Sequence, residues 1–82
     1  MRASVEISMY PFQPDYGTPI LHFIERLRRH KGLTLHTNTM STQIFGDYGE
    51  IMGVLTQEMK AAFEEGETTV MVMKIANLDL RP

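Results

Sequence analysis

The sequence predicts an α+β sandwich with the element order β-α-β-β-α-β. Three observations carry that expectation. The first and last segments alternate apolar and polar residues, two stretches between them place apolar residues at helical spacing, and a pair of short Thr- and Leu-containing segments separates the two helices. At 82 residues the chain has room for one domain, so residues 1–82 are read as a single unit.

The first strand is expected from Ala3 to Phe12. Val5, Ile7 and Met9 point one way and Glu6, Ser8 and Tyr10 the other, the period-2 pattern of a half-buried strand. Pro11 and Pro14 end it, because proline offers no ladder donor. Gln13 to Gly17 then forms a loop. Thr18 suits an N-cap and Pro19 the first helical position. Ile20, Phe23, Ile24 and Leu27 follow as one apolar stripe. Arg26, Arg28, Arg29, His30 and Lys31 crowd the last turns, where positive charge complements the helix dipole, and Gly32 supplies a stop.

Leu33 to Asn38 alternates again. A polar connection, Thr39 to Thr42, leads to Gln43-Ile44-Phe45, and the two segments read as a hairpin. Gly46 is expected to break the strand. Asp47 then caps a second helix, with Glu50 three residues on as in a capping box. Ile51, Met52, Leu55, Met59, Ala62 and Phe63 form its expected buried stripe, and Gly66 closes it. Gly53 in its middle costs about 1 kcal/mol against alanine, which a close approach to the sheet or a neighbour would explain. The last strand runs from Thr68 to Ile75. Ala76 to Pro82 is a polar tail, held down through Leu78 and Leu80.

Two right-handed crossovers around a hairpin give a ferredoxin-like βαββαβ sandwich, with an antiparallel sheet of order 4-1-3-2 and both helices on one face. The other face is open. If Val5, Ile7 and Met9 meet the helices, Glu6, Ser8 and Tyr10 lie on the open side with Val70, Val72 and Lys74. Glu6 and Lys74 can then pair across strands. The opposite assignment would instead put Met71, Met73 and Ile75 outside. A face carrying Val, Val and Tyr among polar groups suits sheet-to-sheet assembly.

Composition narrows the function. The chain has no cysteine, which excludes disulfides, thiol nucleophiles and thiolate metal sites, and fits a reducing cytoplasm. A formal net charge of −2 gives no basic excess for nucleic acid. No apolar run reaches the ~18 residues of a membrane span, and no signal peptide is visible. The seven methionines read as adaptable core filler. His22, His30 and His36 are scattered, so neither a metal site nor a catalytic constellation is expected, and no cofactor is called for. Acylphosphatases share this topology but need an arginine in a phosphate-cradling first loop, and Pro11 to Gly17 has none.

Binding groups are more suggestive. Tyr10 and Phe12 flank the first loop, with Asp15 and Tyr16 beyond, and Asn38, Ser41, Thr42 and Gln43 surround the hairpin. Aromatic faces with short hydroxyls and amides suit a flat heterocycle with polar edges, although ordinary turns use the same residues.

The segment Ser4 to Phe12 resembles the opening strand of the YkoF-type thiamine-binding family, with its hydrophobic-Ser-hydrophobic-Tyr-Pro signature. Met40 to Asp47 resembles the family's second signature, a Ser-Thr strand entering a Gly-acid helix start, and Val70 to Ile75 resembles its closing strand. The resemblance implies a ferredoxin-like fold, symmetric oligomers built through sheet faces, and binding of thiamine or its hydroxymethylpyrimidine part. It transfers a binding role to Tyr10, Ser41 and Thr42. Phe12, Asp15 and Asn38 join them on chemical grounds. The expected protein is a non-catalytic cytosolic carrier or sensor, a homodimer or homotetramer through the open face. The alternatives are an interaction module without a small ligand and, less favoured for want of a converging acid, base and nucleophile, a dimeric enzyme.

Overall fold

A computed structural model describes all 82 residues. Strand β1 spans Arg2–Pro11, helix α1 Gly17–Arg28, β2 Thr34–Thr37, β3 Thr42–Asp47, helix α2 Tyr48–Glu65 and β4 Thr69–Ala76. The four strands form one antiparallel sheet in the order β2-β3-β1-β4, and the fold is the expected ferredoxin-like sandwich.

Register settles the two faces. Val5 lies opposite Ile44 on one side and Ile75 on the other, and Ile7 opposite Thr42 and Met73. Ala3, Val5, Ile7 and Ile44 therefore share a face and pack with Phe23 and Leu27 of α1 and Ile51, Leu55 and Ala62 of α2 in one buried cluster. Glu6, Ser8 and Tyr10 lie on the open face, opposite Lys74, Val72 and Val70. The expected Glu6–Lys74 pair forms, with Nζ 3.2 Å from Oε1.

The structure corrects several local expectations. Gly46 does not break the strand: it continues β3 and pairs with Ala3. A Cβ there would stand 2.9 Å from Leu33 Cδ2, so the glycine serves a close approach. α1 begins at Gly17 with Tyr16 as its cap residue, not Thr18. Asp15 Oδ1 instead accepts the Thr18 N–H at 3.4 Å. α1 also stops at Arg28, one turn short of Gly32.

Asp47 caps α2 as expected, its carboxylate accepting the Glu50 N–H at 3.1 Å. The Glu50 side chain lies beside Gly32 rather than reaching back to close the box. The buried stripe of α2 is Ile51, Val54, Leu55, Glu58 and Ala62. Phe63 is exposed, and Met52 and Met59 are only half-buried. At about 100° per residue these three sit roughly a quarter to a third of a turn from the centre of the buried face.

Gly53 faces open space, with nothing within 4 Å of an added Cβ, so no close approach accounts for it. Gly53→Ala should therefore stabilise the protein by about 0.5–1 kcal/mol through helix propensity and unfolded-state entropy. An unchanged or lower urea midpoint would contradict this.

The tail crosses the open face. The buried Ser4 hydroxyl donates to the Leu78 carbonyl at 2.6 Å and accepts the Leu80 N–H at 2.8 Å. The tie is thus through the backbone of both leucines, whose side chains stay exposed. Phe45 lies opposite Ser4 on this same face yet is only 3% exposed. His36 meets its ring edge-on, with centroids 5.7 Å apart.

Candidate functional site

At one end of the sandwich the tip of β1, the first turns of α1 and the β2–β3 connection enclose a cavity of about 330 Å³. Its apolar wall comes from Ile7 and Met9 of β1 and Ile20, Phe23 and Ile24 of α1. Proline at position 11 ends the strand there, and the Asn38 side chain folds the opposite rim. Asn38 Oδ1 accepts the N–H groups of Met40 at 2.8 Å and Ser41 at 2.9 Å, the Asx-turn chemistry expected of asparagine.

Four of the six residues singled out from the sequence meet in this cavity: Tyr10, Asn38, Ser41 and Thr42. Phe12 and Asp15 do not line it. Phe12 is exposed, with its N–H bonded to the Thr68 carbonyl at 2.8 Å. Asp15 faces the start of α1. Tyr16, noted in the first loop but given no binding role, also lines the cavity. Only its place in the first loop, just past Tyr10 and Phe12, hinted at it.

The rim is polar and organised by one carboxylate. Ser41 Oγ donates to Glu6 Oε2 at 3.1 Å, while Lys74 holds the other oxygen. The Lys74 ammonium and the Ser41 hydroxyl together hold the Glu6 carboxyl below its ordinary value, so it is anionic at neutral pH. Nearby, Ser8 Oγ donates to the Met40 carbonyl at 3.3 Å. A second, more open hollow of about 290 Å³ lies beyond Glu6 on the open face, between Phe45, Gln43 and Leu80 of the tail.

The other notable charges belong to the helix pair. Glu58 of α2 accepts from Arg26 Nε at 3.2 Å and lies 2.7 Å from His30 Nε2. Glu65 lies 3.2 Å from Arg26 Nη1 and 2.8 Å from His22 Nδ1. His22 of α1 and His30, just past its end, thus bind to α2, and neither lines the cavity. No group of three or more His, Asp or Glu side chains is arranged to hold a metal ion. No helix is long and apolar enough to cross a membrane.

The sequence profile of the thiamine-binding protein family matches residues 5–79. The chain belongs to this family. The match runs from β1 through β4 into the tail, and so takes in every element around the cavity. No curated protein matches the sequence of this family member.

Solved structures share its fold. A candidate thiamine biosynthesis/salvage protein from Thermotoga maritima superposes with a TM-score of 0.82 at 19% identity, over 99% of this chain and 85% of that one. A hypothetical protein from Methanocaldococcus jannascii gives 0.81 at 20% identity, over 99% and 84%. A domain of unknown function from Bacillus cereus gives 0.80 at 17%, over 98% and 79%.

Proposed function

We propose that this member of the thiamine-binding family takes up thiamine, or its hydroxymethylpyrimidine moiety, in the cavity rimmed by Tyr10, Asn38, Ser41 and Thr42. The observation that carries the proposal is the convergence of those four residues, from β1 and the β2–β3 region, on one cavity. Its volume of about 330 Å³ is at the small end of ordinary ligand sites and suits one or two rings. The exposed aromatic side chains of Tyr10 and Tyr16 offer faces for a flat ring, above a floor that includes the buried Phe23. The Ser41 and Thr42 hydroxyls and the Asn38 amide offer partners to ring nitrogens and an exocyclic amine. The anionic Glu6 beside the rim favours a cationic thiazolium over a pyrophosphate ester.

In this reading the protein is a cytoplasmic, non-catalytic carrier or sensor serving thiamine supply. The likeness in fold to a thiamine biosynthesis/salvage candidate from Thermotoga maritima supports the thiamine part of this reading. It assembles as a homodimer or homotetramer through the open sheet face. The exposed Val70 and Val72 on that face support such packing. They equally favour the second reading, an oligomerising interaction module with no small ligand.

Isothermal titration with thiamine and with hydroxymethylpyrimidine, on protein of known solution mass, separates the two. The expected result is stoichiometric binding in the micromolar range or tighter. Tyr10→Ala should weaken it about tenfold or more, equivalent to ~1.4 kcal/mol, with the melting temperature little changed. Tyr10 is exposed and sits at the strand's end, so its loss should spare the fold. No heat from a folded oligomer would leave the interaction module in front, and unchanged affinity in the variant would remove Tyr10 from the site.

A further inference from the structure

In an antiparallel sheet each residue turns its N–H and C=O toward one neighbouring strand, and successive residues alternate. Two bonds fix that alternation in β1. The Phe12 N–H donates to the Thr68 carbonyl at 2.8 Å, on the β4 side, and the Tyr48 N–H donates to the Met1 carbonyl at 2.8 Å, on the β3 side. Even-numbered residues of β1 thus turn their main chain toward β4 and odd-numbered residues toward β3.

At the tip, β1 outruns β3. Thr42, the first residue of β3, lies opposite Ile7. Met9 turns the same way as Ile7, and two further steps of the register would set it opposite Met40. That residue is engaged elsewhere. The Met40 N–H donates to Asn38 Oδ1 at 2.8 Å, and its carbonyl accepts the Ser8 hydroxyl at 3.3 Å. Ser41 is engaged as well: its N–H donates to Asn38 Oδ1 at 2.9 Å and its carbonyl accepts the Asn38 N–H at 3.1 Å. The Asn38 turn therefore leaves the Met9 N–H and C=O facing a gap instead of a strand. Met9 on one side of that gap and Asn38 to Thr42 on the other line the cavity described above. A half-buried donor and acceptor side by side call for a partner.

We propose that the main chain of Met9 is the group that reads the edge of a pyrimidine in this cavity. This inference rests on the reading that the cavity takes up thiamine or its hydroxymethylpyrimidine part. An aminopyrimidine carries a ring-nitrogen acceptor directly beside an amine donor. The Met9 N–H donates to the ring nitrogen and the Met9 carbonyl accepts from the amine, like the double hydrogen bond that paired residues of two antiparallel strands exchange. The thiazolium offers no such edge, because its ring nitrogen is alkylated and cationic. Discrimination follows from what a poor ligand leaves behind. A ring without the amine would cover the Met9 carbonyl and give it nothing to accept.

Amide exchange and nitrogen-15 correlation spectra test this directly. In the free protein the Met9 amide should exchange at least about tenfold faster than those of Ser8 and Tyr10, which turn toward β4. Saturation with hydroxymethylpyrimidine or with thiamine should move the Met9 amide proton downfield and slow its exchange about tenfold or more. The pyrimidine analogue with a methyl group in place of the exocyclic amine should bind at least about tenfold more weakly by titration calorimetry. A Met9 amide as protected as its neighbours in the free protein would overturn the inference. Saturable binding that leaves the Met9 amide unmoved, or equal affinity for the methyl analogue, would overturn it while the thiamine reading stands. If neither thiamine nor hydroxymethylpyrimidine binds, that reading falls and takes this inference with it.

Discussion

Phe23→Ala should cost about 3–5 kcal/mol of unfolding free energy, the range for truncating a fully buried aromatic. Phe23 is 1% exposed and stands where α1 meets the sheet, in one cluster with Val5, Ile7, Leu27 and Leu55. A chain of 82 residues has roughly 4–12 kcal/mol in all at ~0.05–0.15 per residue, so the loss is a large share of the total. With a urea slope near 1.5 kcal/mol/M the midpoint should fall by roughly 2–3 M. A shift below about 0.5 M would mean that the core does not depend on this ring. The same ring lines the proposed ligand cavity. Its truncation would therefore lose binding by loss of fold, which is why the rim residue Tyr10 is the better probe of the site.

The second large effect is expected away from the sheet. Glu58→Ala should destabilise the protein by about 2–4 kcal/mol, somewhat less than the 3–5 of a wholly buried pair. The Glu58 side chain is only 7% exposed, while Arg26 and His30, which it holds, are about a quarter exposed and partly screened. Removal would leave the Arg26 guanidinium, whose buried Nη2 already lacks a partner, with Glu65 alone. For a domain of this size the melting temperature should drop by about 10–25 °C. A double-mutant cycle with Arg26→Ala should return a coupling energy above about 1 kcal/mol. A coupling near zero would show that solvent screens the pair and that Glu58 matters only for packing.

These two residues also mark what could be read from the chain alone. Phe23 was legible because its neighbours Ile20, Ile24 and Leu27 repeat at helical spacing, a pattern local to one element. The Glu6–Lys74 pair was legible as well, because strand alternation and the β1–β4 adjacency of the topology together dictate it. Glu58 was not. A glutamate on a helix reads as solvated unless its partners are known, and Arg26 and His30 lie 32 and 28 residues away. Gly46 failed for the same reason: the side chain that requires its lack of a Cβ, Leu33, belongs to the start of the hairpin.

The cavity was partly legible. Tyr10 ends one strand, and Asn38, Ser41 and Thr42 frame the turn that the topology brings to the same end of the sandwich. Phe12 and Asp15 are near them in sequence, but the strand carries on to Pro11 and the loop turns into α1 before either reaches the cavity. Tyr16 is admitted only by the way α1 starts, which placement of the N-cap at Thr18 misjudged.

The ion pair between Glu6 and Lys74 has a consequence for how the chain finds its native alignment. Alternation of side chains fixes only the parity of a strand pairing: a slip of one residue would turn every side chain of β4 to the wrong face. A slip of two would not. Slipped one way, Val70, Met71 and Met73 take the places of Val72, Met73 and Ile75; slipped the other way, Val72, Met73 and Ile75 take those of Val70, Met71 and Met73, so most apolar side chains of the strand still meet apolar positions. What changes is the charge. In the native alignment Lys74 lies opposite Glu6; slipped by two it lies opposite Ser4 or Ser8, and Glu6 opposite Ala76 or Val72. In a strand pair otherwise degenerate by twos, one carboxylate and one ammonium act as an index mark that distinguishes the correct alignment from its near copies.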